Sequence, residues 1–183
     1  MEIIDNFLSD DEFKSLSDVI MKFNFPWFWS ESVVYSTPRE DLYQYLLVHM
    51  FFDDVFGGKL NLQQANTNPI MKVFGDMATR SPYLKDLDPI IQKLGVKELY
   101  RIKANLNASF DKNYGTGFHI DFPDIKTSIY YMNTNDGYTE FETGEKVKSV
   151  ANRMVIFDSN MRHQGVHCTD SKRRVVLNFN FTI

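Results

Sequence analysis

Residues 174–183 read RVVLNFNFTI, and this stretch decides the class of fold. Apolar and polar side chains alternate along it: one set takes every second residue from Val175, while the other begins at Arg174 and includes Asn178 and Asn180. Successive side chains of a strand point to opposite faces of a sheet. The stretch therefore predicts a strand with one face on an apolar core and the other turned to a polar cavity.

The same alternation occurs at residues 100–108, YRIKANLNA, where Ile102 and Leu106 alternate with polar residues such as Asn105 and Asn107. Turn signals such as Asn-Asp-Gly and Thr-Gly separate the apolar runs that follow. Further short strands are predicted at residues 127–132, 138–141, 146–150 and 154–157. Because these strands are short and close together, we expect an antiparallel β-core over about residues 96–183.

The amino-terminal part of the chain predicts helices. Ser9 and Glu12 form a capping box, in which each side chain satisfies a backbone amide of the other residue, and apolar residues follow at helical spacing. Further helices are predicted at residues 38–52, 69–78 and 81–94. His49, on the apolar face of the second, is expected to be a core or interface histidine. Helices followed by strands indicate an α+β fold, with helical support over about residues 1–95.

Composition limits the classes of function. The 183 residues fit one domain, and 43% hydrophobic and 15% aromatic residues indicate a folded chain. A net charge of −4 argues against nucleic acid as a partner. Cys168 is the single cysteine, which suits a reducing cytosol, and the sequence predicts neither a secretion signal nor a membrane span.

Residues 117–124, GFHIDFPD, carry the first candidate ligands, His119 and Asp121. Two residues apart on an extended chain, these side chains leave the same face. A histidine with a purely structural hydrogen bond is the commoner reading of this pair alone. His163 lies far enough along the chain for several strands to intervene. Together with His119 and Asp121 it gives a set of two histidines and one carboxylate. That set binds Fe(II) and leaves positions open for a bidentate co-substrate and O2.

A co-substrate such as 2-oxoglutarate also needs a cation for its distal carboxylate. A guanidinium can bind a carboxylate through two hydrogen bonds, and two adjacent arginines, Arg173 and Arg174, follow His163. The alternation of the last strand puts Arg174 on the cavity face and Arg173 on the helix-packed side or its exposed edge. We therefore expect Arg174 to be the carboxylate-binding residue.

Several motifs together resemble the 2-oxoglutarate/Fe(II)-dependent oxygenases of the prolyl-4-hydroxylase type, particularly the small members found in phages and bacteria. They are FHID (118–121), SIYYMN (128–133), GYTEF (137–141), VIFDS (155–159), HQG (163–165) and RVVLNFNF (174–181). The resemblance covers roughly residues 96–183 and implies a double-stranded β-helix, or jelly-roll. It also implies His119, Asp121 and His163 as metal ligands and Arg174 as the 2-oxoglutarate arginine.

This resemblance implies a hydroxylase with Fe(II), 2-oxoglutarate and O2 as cofactor and co-substrates. Prolyl hydroxylation of a peptide or protein is the most similar precedent, and the cytoplasm of a bacterium or phage-infected cell is the expected location. The resemblance also maps the family's pocket tyrosine onto Tyr131. The polar face of residues 100–108 offers Asn107 as a second residue that could bind the co-substrate. The chain departs from its relatives at residues 136–140, DGYTE, where they commonly carry Gly-Gly-Glu-Thr. The pocket rim there is expected to differ.

Other interpretations stay open at this point. His167 could replace His163 as a ligand, since the two share parity, and Trp27 and Trp29 are expected in the core in preference to a substrate groove. Free amino acids, small metabolites and modified bases are alternative substrates. A jelly-roll binding protein without turnover and a cupin-like metalloenzyme that does not use 2-oxoglutarate are the rival functions.

Overall fold

The computed structural model describes residues 1–30, 45–54 and 79–183. Helix α1 spans Asp10–Ile20, a 3-10 turn spans Leu84–Leu87, and helix α2 spans Asp88–Lys93. The strands are β1 (Glu2–Ile4), β2 (Phe28–Ser30), β3 (Leu46–Asp53), β4 (Thr79–Arg80), β5 (Glu98–Ala108), β6 (Lys126–Tyr131), β7 (Tyr138–Phe141), β8 (Lys146–Lys148), β9 (Arg153–Asp158), β10 (His163–Val166) and β11 (Arg173–Thr182).

These strands form two antiparallel sheets. The larger has the order β1-β9-β6-β11-β5-β3-β2, with β4 added to β3, and the smaller has the order β10-β7-β8. Residues 115–119 lie along the open edge of β10. Two isolated β-bridges hold them there, one from Gly115 to Val166 and one from His119 to His163. The strands cross repeatedly between two facing sheets, as in a double-stranded β-helix. The prediction of an α+β fold with a jelly-roll core is confirmed.

The alternation in β11 divides the interior into two apolar clusters. Val175, Leu177, Phe179 and Phe181 belong to a large cluster that also contains the buried residues of α1 and α2. Val176 points the other way, into a smaller cluster between the two sheets. The neighbouring strands β6 and β9 divide their side chains in the same way. One face of the large sheet thus holds the helices, and the other is free to build a cavity.

The capping box predicted for α1 is confirmed, because Ser9 and Glu12 exchange hydrogen bonds between side chain and backbone. Asn152 holds the segment before the helix against the jelly-roll through hydrogen bonds. The side chain of Asn152 accepts from the amide of Leu8, donates to the carbonyl oxygen of Leu8 and accepts from the hydroxyl of Tyr130. The backbone of Asn152 adopts a φ of 61°, a conformation that asparagine and glycine tolerate best.

The helix predicted over residues 38–52 is wrong for its last part, where β3 runs from Leu46 to Asp53. Six of the eight residues of β3 are apolar, and a short apolar run of this kind has no periodicity that separates a strand from a helix. His49 is nevertheless a core residue: its ring nitrogens contact the carbonyl oxygen of Pro26 and the hydroxyl of Ser81. Residues 38–44 and the helix predicted at 69–78 lie outside the described residues.

The helix predicted at residues 81–94 is present as the 3-10 turn and α2, and Gly95 follows it with a φ of +65°. The two tryptophans differ. Trp27 packs against the large apolar cluster, as expected, whereas Trp29 is 61% exposed and stacks on Tyr45. The expectation that both lie in the core is therefore wrong for Trp29. Among the described residues, no helix is both long and apolar enough to cross a membrane.

Asn152→Gly should lower the free energy of unfolding by about 2–4 kcal/mol, because it leaves the buried backbone groups of Leu8 without partners while glycine keeps the positive φ. Tyr130→Phe removes one of the three hydrogen bonds of Asn152 and should cost about 1 kcal/mol. Urea unfolding of both variants measures these losses. Equal losses, or no loss in Asn152→Gly, would contradict this role of Asn152.

Candidate metal and co-substrate site

The structure brings the three predicted ligands, His119, Asp121 and His163, to one point. Their nearest ligand-capable atoms all lie within 4.8 Å of one another. Nε2 of His119 lies 3.7 Å from Oδ1 of Asp121, and Nε2 of His163 lies 3.9 Å from Oδ2. The backbone bridge between the two histidines fixes this convergence, because it ties the HxD segment to the start of β10.

Hydrogen bonds orient both imidazoles with Nε2 toward the common point. Nδ1 of His119 lies 3.0 Å from the carbonyl oxygen of Gly117, and Nδ1 of His163 lies 3.1 Å from that of Met161. A carbonyl oxygen only accepts, so Nδ1 carries the proton in each neutral ring and Nε2 keeps its lone pair. Burial lowers the pKa of His163, which favours that neutral form. Both rings therefore present a ligand atom.

The carboxylate of Asp121 is held by three side chains from the large sheet. Arg101 donates from Nη2 to Oδ1 at 2.8 Å, and the amides of Asn178 and Asn180 donate to Oδ2 at 2.8 and 3.2 Å. Burial alone would raise the pKa of Asp121, but the charge of Arg101, the two histidines and the hydrogen bond from Asn178 outweigh it. They hold this pKa well below its usual range, so the carboxylate is ionised.

The pairing of β5 with β11 arranges the cavity as a series of facing residue pairs. Four pairs share the cavity side of the sheet: Arg174 with Asn107, Val176 with Asn105, Asn178 with Lys103, and Asn180 with Arg101. Arg174 stands at one end of the series, and the residues that hold Asp121 stand at the other. The cavity between them is lined by His119, Asp121, His163 and Arg174 together with Asn107 and Thr139.

Arg174 is almost completely buried, with 2% of its surface exposed. Its Nε donates to Ser149 at 2.8 Å and its Nη2 to Thr139 at 3.1 Å, while Nη1 has no hydrogen-bond partner among the described residues. A β-carbon at Gly165, which also lines the cavity, would lie 3.5 Å from Nη1. The glycine leaves this donor open to the cavity, where a carboxylate could accept from it.

The DGYTE segment, expected to make the pocket rim differ, helps to enclose Arg174. A β-carbon at Gly137 would lie 2.7 Å from Cδ of Arg174, so only glycine fits there. Two residues later, Thr139 accepts hydrogen bonds from both Arg174 and the hydroxyl of Tyr131. The segment therefore fixes the position of the guanidinium.

The two further predicted co-substrate residues differ in position. Asn107 lines the cavity opposite Arg174. Tyr131 is fully buried behind Arg174, with its ring 5.6 Å from the guanidinium carbon. Burial raises the pKa of the Tyr131 hydroxyl, which donates a hydrogen bond to Thr139. Because Thr139 also accepts from Arg174, Tyr131 supports the guanidinium from behind.

The alternative residues lie elsewhere. His167 is buried against the ring of Phe110, its Nδ1 lies 3.0 Å from the carbonyl oxygen of Ala108, and it is outside the ligand cluster. Arg173 donates to the carbonyl oxygen of Met21 at the end of α1, on the helix side of the sheet, as the alternation predicts. Cys168 is buried, its thiol donates a hydrogen bond to the carbonyl oxygen of Ser171, and burial raises the pKa of that thiol.

Sequence reasoning missed Arg101 and Lys103 as parts of the site. A signal was present, because both share the parity of Asn105 and Asn107 in β5. Ser149, which directly follows β8, was also missed, since a lone serine carries no pattern.

The residues present fit Fe(II) and 2-oxoglutarate. Two imidazole nitrogens with free lone pairs and one ionised carboxylate make a nitrogen and oxygen donor set suited to Fe(II) without a thiolate. Two amide oxygens that line the cavity, Oδ1 of Asn105 and Oδ1 of Asn178, are buried and have no hydrogen-bond partner among the described residues. Buried polar groups are almost always satisfied, so these two acceptors indicate that the cavity also holds hydrogen-bond donors such as water.

No protein-family model and no curated protein matches the sequence. Solved structures do match in fold. A prolyl hydroxylase from Trichoplax adhaerens, in complex with a hypoxia inducible factor peptide fragment, is 15% identical with a TM-score of 0.55 over 98% of this chain and 82% of that chain. A Pseudomonas putida prolyl-4-hydroxylase is 13% identical with a TM-score of 0.53, covering 100% and 92%.

A 2OG-Fe(II) oxygenase family oxidoreductase from Burkholderia pseudomallei is 11% identical, with a TM-score of 0.52 over 94% of this chain and 78% of that chain. At such identities the likeness concerns the fold. It confirms the resemblance seen in the sequence motifs and extends it beyond residues 96–183 to nearly the whole chain. The chain therefore has the fold of the prolyl-hydroxylase-like 2-oxoglutarate/Fe(II) oxygenases.

Proposed function

We propose that this protein is a 2-oxoglutarate- and Fe(II)-dependent dioxygenase that hydroxylates an unactivated C–H bond. One observation carries the proposal: a single cavity has a two-histidine, one-carboxylate cluster on one side and the open Nη1 of the buried Arg174 on the other. The overall balance is that substrate, 2-oxoglutarate and O2 give hydroxylated substrate, succinate and CO2. The fold shared with prolyl hydroxylases supports the same assignment.

Each part of the cavity has a role in this reaction. His119 and His163 would hold the metal through Nε2 and Asp121 through its carboxylate, and the metal so bound supplies the activation of O2. Arg101, Asn178 and Asn180 keep the carboxylate ionised and oriented. Arg174 would bind the distal carboxylate of 2-oxoglutarate, with Asn107 beside it and with Tyr131 and Thr139 fixing the guanidinium.

The proposed substrate is a peptide or protein, and prolyl hydroxylation is the closest precedent. Support comes from the fold of the Trichoplax prolyl hydroxylase, which was solved with a peptide fragment. A cupin-like enzyme independent of 2-oxoglutarate is less well supported, since it leaves the buried Arg174 and its enclosure without a purpose. A binding protein without turnover leaves the open Nε2 atoms of both histidines unexplained.

Metal binding should depend on the three clustered residues and not on His167. His119→Ala and Asp121→Asn should weaken binding of Mn(II), measured by titration calorimetry without oxygen chemistry, by 100-fold or more, about 3 kcal/mol. His167→Gln should leave the affinity unchanged, because His167 lies outside the cluster. Loss of Mn(II) binding in His167→Gln, with normal binding in His119→Ala, would reverse the assignment.

Binding of 2-oxoglutarate should separate the two adjacent arginines. Arg174→Met should lower the affinity of the Mn(II)-loaded protein for 2-oxoglutarate by about 30-fold or more, since it removes a charge-assisted contact in a buried site. Arg173→Met should not, because Arg173 contacts the end of α1. Calorimetry of both variants tests this. Equal affinities in wild type and Arg174→Met would favour an enzyme that does not use 2-oxoglutarate.

Turnover is tested by loading the protein with Fe(II) and 2-oxoglutarate under nitrogen, adding O2 with a mixed proline-containing peptide pool, and measuring succinate. Wild type should form succinate, whereas His119→Ala and Arg174→Met should fall at least about 100-fold below it. Arg173→Met serves as the matched control. Wild type that binds Fe(II) and 2-oxoglutarate but forms no succinate above a metal-free blank would point to the binding protein instead.

A further inference from the structure

Lys103 is a cation on the cavity wall that the proposed reaction does not use. It lies in β5, directly opposite Asn178, whose amide holds Asp121. Its half-buried side chain lines the same cavity as the three candidate ligands. Arg101 follows the same parity one pair further along, so two cations stand side by side at the end of the cavity away from Arg174.

The two cations differ in their partners. Arg101 forms an ion pair with Asp121 and a hydrogen bond with Asn180. In the described part of the chain Lys103 makes neither an ion pair nor a side-chain hydrogen bond, and the charges that act on its pKa are those of Arg101, Asp121 and Asp53. Burial, followed by the charge of Arg101, lowers the pKa of Lys103 to about 8. A desolvated ammonium without a partner costs stability, and an anion in the cavity would remove that cost.

The co-substrate does not supply this anion. Its distal carboxylate is assigned to Arg174, and its other carboxylate belongs at the metal. Lys103 and Arg174 have one residue pair between them along the sheet, which puts them about 13 Å apart at the spacing of strand residues. The side chains that hold Asp121 stand at the Lys103 end of this series, and a molecule that binds Arg174 through one carboxylate and the metal through the other has no carboxylate left for Lys103.

We propose that Lys103 binds a carboxylate of the primary substrate, and that this enzyme selects substrates with a negative charge beside the hydroxylated residue. The proposal rests on the function proposed above and specifies its substrate class. The carboxylate could be a free carboxyl terminus or an acidic side chain, since both present the same chemistry to an ammonium. The adjacent Arg101 adds positive potential, but its donors are already engaged by Asp121 and Asn180.

A carboxylate ligand would explain why a lysine without a protein partner lines the cavity. Lys103→Met keeps the length of the side chain and removes the unpaired charge, so this variant should unfold at the same temperature as wild type or a higher one. It should nevertheless lose selection for anions. Higher stability together with weaker ligand binding is the result expected when a substitution removes a residue that binds a ligand but destabilises the free protein.

The test uses protein loaded with Mn(II) and 2-oxoglutarate, which binds without turning over. Small probes are compared in pairs: N-acetyl-L-proline with its amide, and N-acetyl-prolyl-aspartate amide with the asparagine equivalent. The paramagnetic metal broadens the acetyl-methyl NMR signal of a probe held near it. In wild type, one or both acids should bind about tenfold or more tightly than their neutral partners, and the stronger pair identifies the source of the carboxylate.

Lys103→Met should remove this preference, Lys103→Arg should retain most of it, and Lys148→Met, which removes an exposed lysine of β8, should leave it unchanged. Equal broadening by acids and neutral probes, no broadening by any probe, or a preserved preference in Lys103→Met would each overturn the proposal. Wild type that fails to bind Mn(II), shown by unchanged water-proton relaxation, would instead contradict the proposed function. The two failures are therefore distinguishable.

Discussion

The antiparallel pairing of β5 with β11 is the constraint on which the rest of this structure depends. Its register sets Arg174 opposite Asn107 at one end and Asn180 opposite Arg101 at the other. Because the side-chain period of a strand is two, a slip of one residue would turn Phe179 into the cavity and Asn180 into the apolar core. The same register therefore secures the core and positions every cavity residue that these strands contribute.

Some polar groups of this cavity have protein partners on all their ligand-capable atoms, whereas others keep one nitrogen without a protein partner. Asp121 has partners on both oxygens, so its carboxylate is ionised and cannot rotate freely. Arg174 is held by Ser149 and Thr139 but keeps one nitrogen open, and both histidines bind backbone carbonyls through Nδ1. Fixing one end of a polar group while leaving the other without a protein partner is the arrangement that ligand binding requires.

Alternating sequences were the most informative part of the chain. In residues 174–183 alternation alone distinguished Arg174 from Arg173, and in the HxD segment the two-residue spacing correctly placed His119 and Asp121 together. The run of β3 could not be predicted, because it is apolar on both faces and lacks any period. The contacts of Ser149 and Gly137 with Arg174 could not be predicted either, since they arise from the approach of distant strands and leave no local pattern.

One cavity should hold both a metal and 2-oxoglutarate, and a crystal structure of the protein grown anaerobically with Mn(II) and 2-oxoglutarate would show whether it does. We expect an anomalous peak bonded to Nε2 of His119, Nε2 of His163 and the carboxylate of Asp121, with the distal carboxylate of 2-oxoglutarate on Nη1 of Arg174. A metal bound elsewhere, or 2-oxoglutarate without contact to Arg174, would contradict it.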